Sequence, residues 1–258
     1  MQTPRQTDHM SPLLIERHGP VALVTLNRPD KRNAINAALA EAIVTAMADC
    51  QDARAIVITG AGPAFSAGLD LRNLGVEKLS QLAGFLQAVS DSGIPTIAAV
   101  NGPAVTGGFE LALACDFMVA STSATFADTH LRVGVYPGPV LVDLPRRIGM
   151  AKAREMSLTG DFVDAATALR IGLVNHVVEP EALVPLAMRL AAAIAEQDPA
   201  MVATMRRDWD DTYNLPRVDA LRAHYRTGAA AGFDKAGRDT LQANMAAVVE
   251  RAHGQRST

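Results

Sequence analysis

Cysteine is scarce in this sequence, with only Cys50 and Cys115 in 258 residues. Cys115 ends the apolar run FELALAC, so both are expected to be buried structural thiols in a reducing compartment rather than a disulfide framework. Long apolar stretches are also missing, and none reaches the roughly 20 residues that a membrane-spanning helix needs. The opening MQTPRQTDHMSP is polar and lacks the apolar centre of a signal peptide. A soluble, cytoplasmic protein with no membrane partner is the expectation. An excess of charge of one sign is absent too. The 24 Lys and Arg against 27 Asp and Glu leave −3, which gives no electrostatic reason to expect nucleic acid. If a polyanion binds, a few local Lys or Arg residues must hold it. The six histidines show no H-x-x-x-H or other paired ligand spacing, so no metal site is expected. No G-x-x-x-x-G-K-[ST] loop occurs, and Gly60-x-Gly62 lacks the third glycine of a dinucleotide fingerprint and runs into Pro63.

Hydrophobic residues make up 49% and charged residues 20%, enough for a sizeable core and unlike a disordered chain. Leu13–Arg17 and Val21–Asn27 read as strands around a turn at His18-Gly19-Pro20. Helical spacing follows over Ala34–Cys50, then a short apolar strand over Ala55–Thr59. A helix around Ser80–Ser90, a strand Thr96–Val100, a helix Phe109–Ala114 and a strand Phe117–Ala120 continue the alternation. That order favours a largely parallel, buried sheet. Beyond Gly138 the chain turns helical. Asp164 is placed to cap a helix over Ala165–Ile171, with Gly172 as its C-terminal glycine. Leu173–Val178 reads as one more strand, and longer helical patterns cover Glu181–Glu196 and Val218–Glu250, the second broken near Gly228–Phe233. No repeat or linker is visible. The chain is expected to form an α/β core over residues 1–195 and a helical C-terminal region over 196–258.

Two segments share one layout, an apolar strand leading through a glycine-rich turn to a helix start. They are AIVITGAGPAFSAGLDL (55–71) and TIAAVNGPAVTGGFELALACD (96–116). A helix start exposes unpaired N–H donors, and glycine lets a ligand approach the backbone. Two such turns facing one another would aim two N–H groups at one oxygen, the arrangement that stabilises an enolate or a tetrahedral intermediate. Glu110 is a carboxylate in an otherwise apolar helix beside one of these turns. Burial there would raise its pKa and suit it to acid–base work. Ala64-Phe-Ser-Ala-Gly68 offers a rival, a nucleophile elbow with its first glycine replaced. In that reading Ser66 would need His130 or His176 as base.

Five pieces of the chain resemble the crotonase (enoyl-CoA hydratase/isomerase) superfamily, in that family's order. They are LNRPDKRNAIN (26–36), AFSAGLDL (64–71), IPTIAAVNGPAVTGGFELALACD (94–116), FADTHLRVGVYPG (126–138) and LTGDFVDAATALRIGLVNHVV (158–178). The resemblance implies a spiral of ββα units with a helical C-terminal trimerisation region, assembled as a homotrimer or a dimer of trimers. It also implies an acyl-CoA thioester ligand, with coenzyme A part of the substrate and no separate cofactor. Carried over by position, the oxyanion donors are the backbone N–H groups of Leu69 and Gly107. Glu110 takes the first of the two glutamate positions of hydratases, and His130 stands at the second. Asp128, two residues away, would share His130's face on a strand and serve as a substitute or an orienting partner. Thr106 stands where the family often has a third glycine, which narrows the channel or adds a hydroxyl. Ala67, Gly68, Gly108, Tyr136 and Pro137 fall beside the expected substrate site. Arg28 and Lys31 lie in the early loop near the CoA phosphates. Asp70 belongs to the same substrate-binding stretch and, like Asp116, reads as a structural acid holding a turn. Phe233 and Lys235 fall where the family's C-terminal region can reach a neighbour's CoA.

The implied activity is hydration of a 2-enoyl-CoA with Glu110 as acid/base. The alternatives are an isomerase or other CoA-thioester enzyme using Glu110 alone, and an acyl-CoA-binding protein without catalysis.

Overall fold

The computed structural model describes residues 11–70, 84–232, 244–245, 248–250 and 252. The chain forms two compact units that divide between Gln197 and Asp198. In the first unit, β1 (Leu13–His18) and β2 (Val21–Leu26) form the hairpin expected around Gly19, whose φ is +58°. Next come α1 (Ala37–Asp49), β3 (Ala55–Gly60), α2 (Phe85–Ser90), β4 (Thr96–Val100), β5 (Ala104–Val105) and α3 (Gly107–Leu113). They are followed by β6 (Phe117–Ser121), β7 (Thr125–Ala127), α4 (Val140–Ile148), α5 (Met150–Thr159), β8 (Val163–Asp164), α6 (Ala165–Arg170), β9 (His176–Val178) and α7 (Pro180–Ala195). The main sheet has the order β1-β2-β3-β4-β6-β9, and every pair except the β1–β2 hairpin is parallel. A second sheet, β5-β7-β8, stands apart from it.

Period-two alternation sends successive residues of each strand to opposite faces. In β3, Ile56 and Ile58 join the larger core with α1 and α3, while Ala55 and Val57 face α7. Leu183, Ala187, Ala191 and Ala195 form the buried seam of α7, and the small alanines let the helix lie close to the sheet. Truncating Leu183 to Ala there would cost about 2–5 kcal/mol.

Several boundaries differ from the sequence reading for local reasons. Helix α1 starts at Ala37 rather than Ala34 because the Asn36 side chain accepts the Leu39 N–H at 3.1 Å and caps it. Asp164 does cap α6, accepting the Thr167 N–H at 2.7 Å, and Gly172 is left-handed with φ +75°. The strand expected from Leu173 is shorter, because the Leu173 and Val174 N–H groups close the end of α6 on the Ala168 carbonyl. Of the helix expected from Ser80, the described part begins at Phe85, and residues 80–83 lie outside the described residues.

The second unit holds α8 (Pro199–Thr212) and α9 (Arg217–Ala231). Helix α8 falls within the helical region expected over 196–258, but the sequence reading places no helix at its position, although Asp198-Pro199 is a start signal. The Asp198 carboxylate accepts the Met201 N–H at 2.8 Å, and Pro199 occupies the first turn. Helix α9 ends at left-handed Gly232. The rest of the expected helix to Glu250, with Phe233 and Lys235, falls largely or wholly outside the described residues.

Candidate active site

The early loop and the loop after β3 are built around one buried asparagine. Asn33 is left-handed with φ +54° and fully buried. Its Oδ1 accepts the Arg28 N–H at 2.8 Å, and its Nδ2 donates to the carbonyls of Ala61 at 2.9 Å and Ala64 at 2.8 Å. The Ser66 hydroxyl donates to the Asn33 carbonyl at 2.8 Å and accepts the Gly68 N–H at 3.2 Å. Sequence reasoning missed Asn33. An amide following a Pro-containing turn was the available signal, since Asn tolerates the left-handed region. The same bonds overturn the nucleophile-elbow reading. Ser66 has no exposed surface and spends its hydroxyl on the loop, while His176 is exposed and His130 is paired elsewhere.

Ile35 and Leu69 form a parallel bridge in which the Ile35 N–H donates to the Gly68 carbonyl at 2.7 Å and the Asp70 N–H donates to the Ile35 carbonyl at 2.9 Å. Those bonds flank Leu69, so its own N–H faces away from Ile35. On that other side lies the start of α3. A Cβ placed on Gly107 would sit 3.6 Å from the Leu69 nitrogen. Neither N–H donates to a protein acceptor among the described residues. For Gly107 this is the ordinary condition of a helix start. Flanking glycines make the close approach possible. A Cβ on Gly108 would lie 2.4 Å from the Ser66 carbonyl oxygen, and one on Gly68 would lie 2.3 Å from Thr106 Oγ1.

Glu110 occupies the first turn of α3 and is 7% exposed. Burial pushes its carboxyl above the usual range, opposed by His130 and by the backbone N–H groups of Val140 and Gly138. Val140 donates to Oε1 at 3.3 Å, and a Cβ on Gly138 would come within 2.8 Å of the same atom. These two backbone groups were not anticipated, because the helix start they belong to lies 30 residues away in sequence.

The segment after β7 corrects the expected strand geometry. Strand β7 stops at Ala127, and His130–Val133 forms a single 3-10 turn ended by Gly134 at φ +70°. Asp128 and His130 nevertheless meet, because the turn folds the ring back over the carboxylate. Asp128 Oδ1 lies 2.6 Å from His130 Nδ1, and it also accepts the His130 N–H at 3.3 Å. On the ring's other side, Nε2 stands 3.8 Å from Glu110 Oε2. Asp128 is 1% exposed and His130 5%. Burial alone would raise the Asp128 carboxyl, but hydrogen bonding from His130 and the nearby Ser157 hydroxyl carry it below its usual value. The second oxygen, Oδ2, is buried with no hydrogen-bond partner among the described residues. Burial would likewise lower the His130 pKa, but Asp128 first and Glu110 second raise it above the ordinary value. The three groups therefore form a line, Asp128–His130–Glu110, with a cation favoured at its centre.

The remaining sequence candidates separate. Arg28 pairs with Asp70 at 3.2 Å and also donates to the Ala34 carbonyl, so it staples the early loop to the Leu69 loop. Lys31 and Ala67 are exposed, and Pro137 is buried. Tyr136 is 86% exposed, so the described residues do not pack it into a pocket wall. Asp116 accepts the Thr96 N–H at 2.7 Å and ties β4 to the end of α3. Thr106, before Gly107, has φ 46° and ψ −119°, a strained backbone for a β-branched residue that costs about 1–3 kcal/mol. Among the described residues no group of three or more His, Cys, Asp or Glu is arranged to hold a metal ion, and no helix is long and apolar enough to cross a membrane.

Solved structures share this architecture, a wound α/β core followed by helices. An enoyl-CoA hydratase subunit from Geobacillus kaustophilus HTA426 superposes with a TM-score of 0.82 at 33% identity, over 93% of this chain and 95% of that one. An enoyl-CoA hydratase from Mycobacterium smegmatis gives 0.82 at 30% identity, over 93% and 96%. The fold is that of the crotonase superfamily. Residues 16–250 match the enoyl-CoA hydratase/isomerase family model, and the chain belongs to that family, whose members act on acyl-CoA thioesters. It is similar to a probable enoyl-CoA hydratase of Rhizobium meliloti, at 42% identity over 71% of this chain and 75% of that one. It is also similar to a carnitinyl-CoA dehydratase of Salmonella typhi, at 36% identity over 93% and 96%.

Proposed function

We propose that this protein is a lyase that adds water to a 2-enoyl-CoA, or removes it from the 3-hydroxyacyl-CoA. In this reading the Leu69 and Gly107 N–H groups hold the thioester oxygen. Glu110 and His130 form the acid–base pair, and Asp128 orients and ionises His130. The observation that carries the proposal is the 3.8 Å approach of His130 Nε2 to Glu110 Oε2 inside a buried line of three groups. A water about 2.8 Å from each of those atoms would sit at the apex of the pair, within hydrogen-bond reach of both.

The directions of the pKa shifts support these roles. Burial makes the Glu110 carboxylate more basic, and Asp128 raises His130 and so favours its imidazolium form. In hydration, Glu110 takes a proton from water as the water oxygen bonds to C3. The C2–C3 π electrons move toward the thioester, and the resulting enolate oxygen is stabilised by the two N–H groups. His130 then delivers its proton to C2. The proton taken up by Glu110 then passes back to His130 and restores the starting state. One water is consumed, no redox change occurs, and the reverse sequence eliminates water. The dehydratase relative bears a name for the reverse reaction. Isomerisation by Glu110 alone would leave the buried His130 ring beside it without a task. A purely binding protein would carry the cost of burying three ionisable groups for nothing. By the same family relationship, the protein assembles as a homotrimer or dimer of trimers through its C-terminal helices.

The test follows the conjugated-thioester absorbance of but-2-enoyl-CoA. Wild type should bleach the band. Glu110→Gln and His130→Gln should each lose about 100-fold or more in kcat while still binding the thioester. A wild type that leaves the band intact, or a Glu110→Gln variant with full turnover, would sink the hydration reading.

A further inference from the structure

Thr106 links three segments that carry the site. Its N–H donates to the Ala127 carbonyl at 2.9 Å, at the strand end that leads directly to Asp128. Its carbonyl accepts the Glu110 N–H at 2.8 Å, in the helical turn that carries the carboxylate. Its side chain faces Gly68, the residue before Leu69. A Cβ on Gly68 would meet Thr106 Oγ1 at 2.3 Å, the Val105 carbonyl oxygen at 2.7 Å and Thr106 Cβ at 3.3 Å. The hydroxyl has no hydrogen-bond partner among the described residues and does not cap α3. It is therefore not there to satisfy the helix end. What it does is fill the space over the Gly68 α-carbon.

That contact matters because Gly68 is the hinge of the peptide whose N–H belongs to Leu69. Gly68 is left-handed with φ +87° and has no side chain to restrict it. On one side its carbonyl is held by the Ile35 N–H at 2.7 Å. On the other side stands Thr106, locked at φ 46° and ψ −119° by its two backbone bonds. A glycine at 106 would adopt the same backbone without strain but would leave only the Val105 carbonyl against that side of Gly68.

The geometry points to Thr106 as a positioning residue whose side chain, wedged on Gly68, fixes the Gly68–Leu69 peptide and so the separation of the Leu69 and Gly107 N–H groups. This rests on the reading of those two groups as the oxyanion donors. Thr106 touches no reacting atom. It trades backbone strain for a rigid donor pair, and rigid placement of such donors is what makes them effective in the transition state.

The test compares wild type with Thr106→Gly, Thr106→Ala and Thr106→Ser. Four quantities are read: melting temperature, kcat and KM for but-2-enoyl-CoA, and the absorbance of bound cinnamoyl-CoA. The cinnamoyl band moves to longer wavelength when the thioester carbonyl is polarised. Wild type should show that shift. The Gly variant should melt at or above the wild-type temperature, because the strain is gone. The Gly and Ala variants should both lose most of the shift and about 10- to 100-fold in kcat, with KM within about threefold. Thr106→Ser keeps the oxygen over Gly68 and should restore both shift and kcat. A merely structural residue would change the melting temperature without changing the shift. Should the Gly variant fail to fold, the Ala and Ser pair carries the comparison, since both keep a Cβ. Wild-type shift and kcat in the Gly and Ala variants would overturn the role of Thr106 and leave the donor pair standing. Bound cinnamoyl-CoA without any shift in wild type would overturn the donor pair itself, and Thr106's role with it.

Discussion

At the residue scale, the site depends on three ionisable side chains that would each be costly to bury alone. Together they are compensated, Asp128 and Glu110 flanking the His130 ring at 2.6 and 3.8 Å. The pH dependence follows from their directions. The proposed hydration needs Glu110 deprotonated and His130 protonated. The acid limb of kcat/KM therefore reports Glu110, raised from 4.5, and the alkaline limb reports His130, raised from 6.5. Asp128→Asn removes the main group that raises the imidazole, so the alkaline limb should move to lower pH and the maximum should fall. An alkaline limb unmoved in that variant would remove Asp128 from the relay. Stability carries the same signature. His130 has a raised pKa, so its contribution is whole below 6.5 and is lost as pH rises through the raised value. Asp128 has a depressed pKa, so its contribution is whole above 3.8 and is lost as pH falls through the depressed value. The stability gap between wild type and Asp128→Asn, on the order of 2 kcal/mol, should be widest between those two pH values and narrow on the alkaline side. In the sequence, Glu110 was legible because a carboxylate interrupts the run FELALAC. The closeness of Asp128 to His130 was legible only through a strand that does not exist. Spacing of two residues suggested a shared face, whereas a 3-10 turn makes the contact.

At the scale of elements, the start of α3 does most of the positioning. Gly107 and Gly108 let it abut the Ser66–Leu69 loop, and Glu110 is fixed one turn in. Gly108→Ala would put a methyl 2.4 Å from the Ser66 carbonyl oxygen, a backbone atom that cannot yield without moving the Leu69 loop. The variant should lose about 2 kcal/mol of stability or more, together with turnover. Gly228→Ala is the control. That glycine lies within α9 with nothing among the described residues within 4 Å of its added Cβ, so the substitution should stabilise by about 0.5–1 kcal/mol. Equal melting temperatures for the two variants would show that the close approach at Gly108 has been misread. Strands β3 and β4 were legible because both of their faces are buried, which makes them continuous apolar runs. Strand β9 was overextended, since nothing in its composition shows that Leu173 and Val174 serve the end of α6. Helix α8 went unseen because its exposed sites carry Met and Trp where a one-sided polar face would have marked it.

At the scale of the whole molecule, that same composition bears on assembly. Along α8, Met201, Met205, Trp209 and Tyr213 recur every four residues, so they share one face. They are 41%, 46%, 62% and 63% exposed in the single chain. Apolar side chains of this size aligned on one helix face fit a surface that another chain covers. In the proposed trimer or dimer of trimers, this face would be the one covered. Trp209 is the only tryptophan in the sequence, so its fluorescence reports this face alone. Light scattering should give three or six times 27.2 kDa. On dilution into the dissociating range, Trp209 emission should move to longer wavelength as the indole meets water. Trp209→Glu would bury an unpaired carboxylate in any such contact, at a cost of several kcal/mol, and should shift the population to monomer. A monomeric wild type, or a Trp209→Glu variant that keeps the wild-type mass, would mean that this face is not the one on which the copies meet.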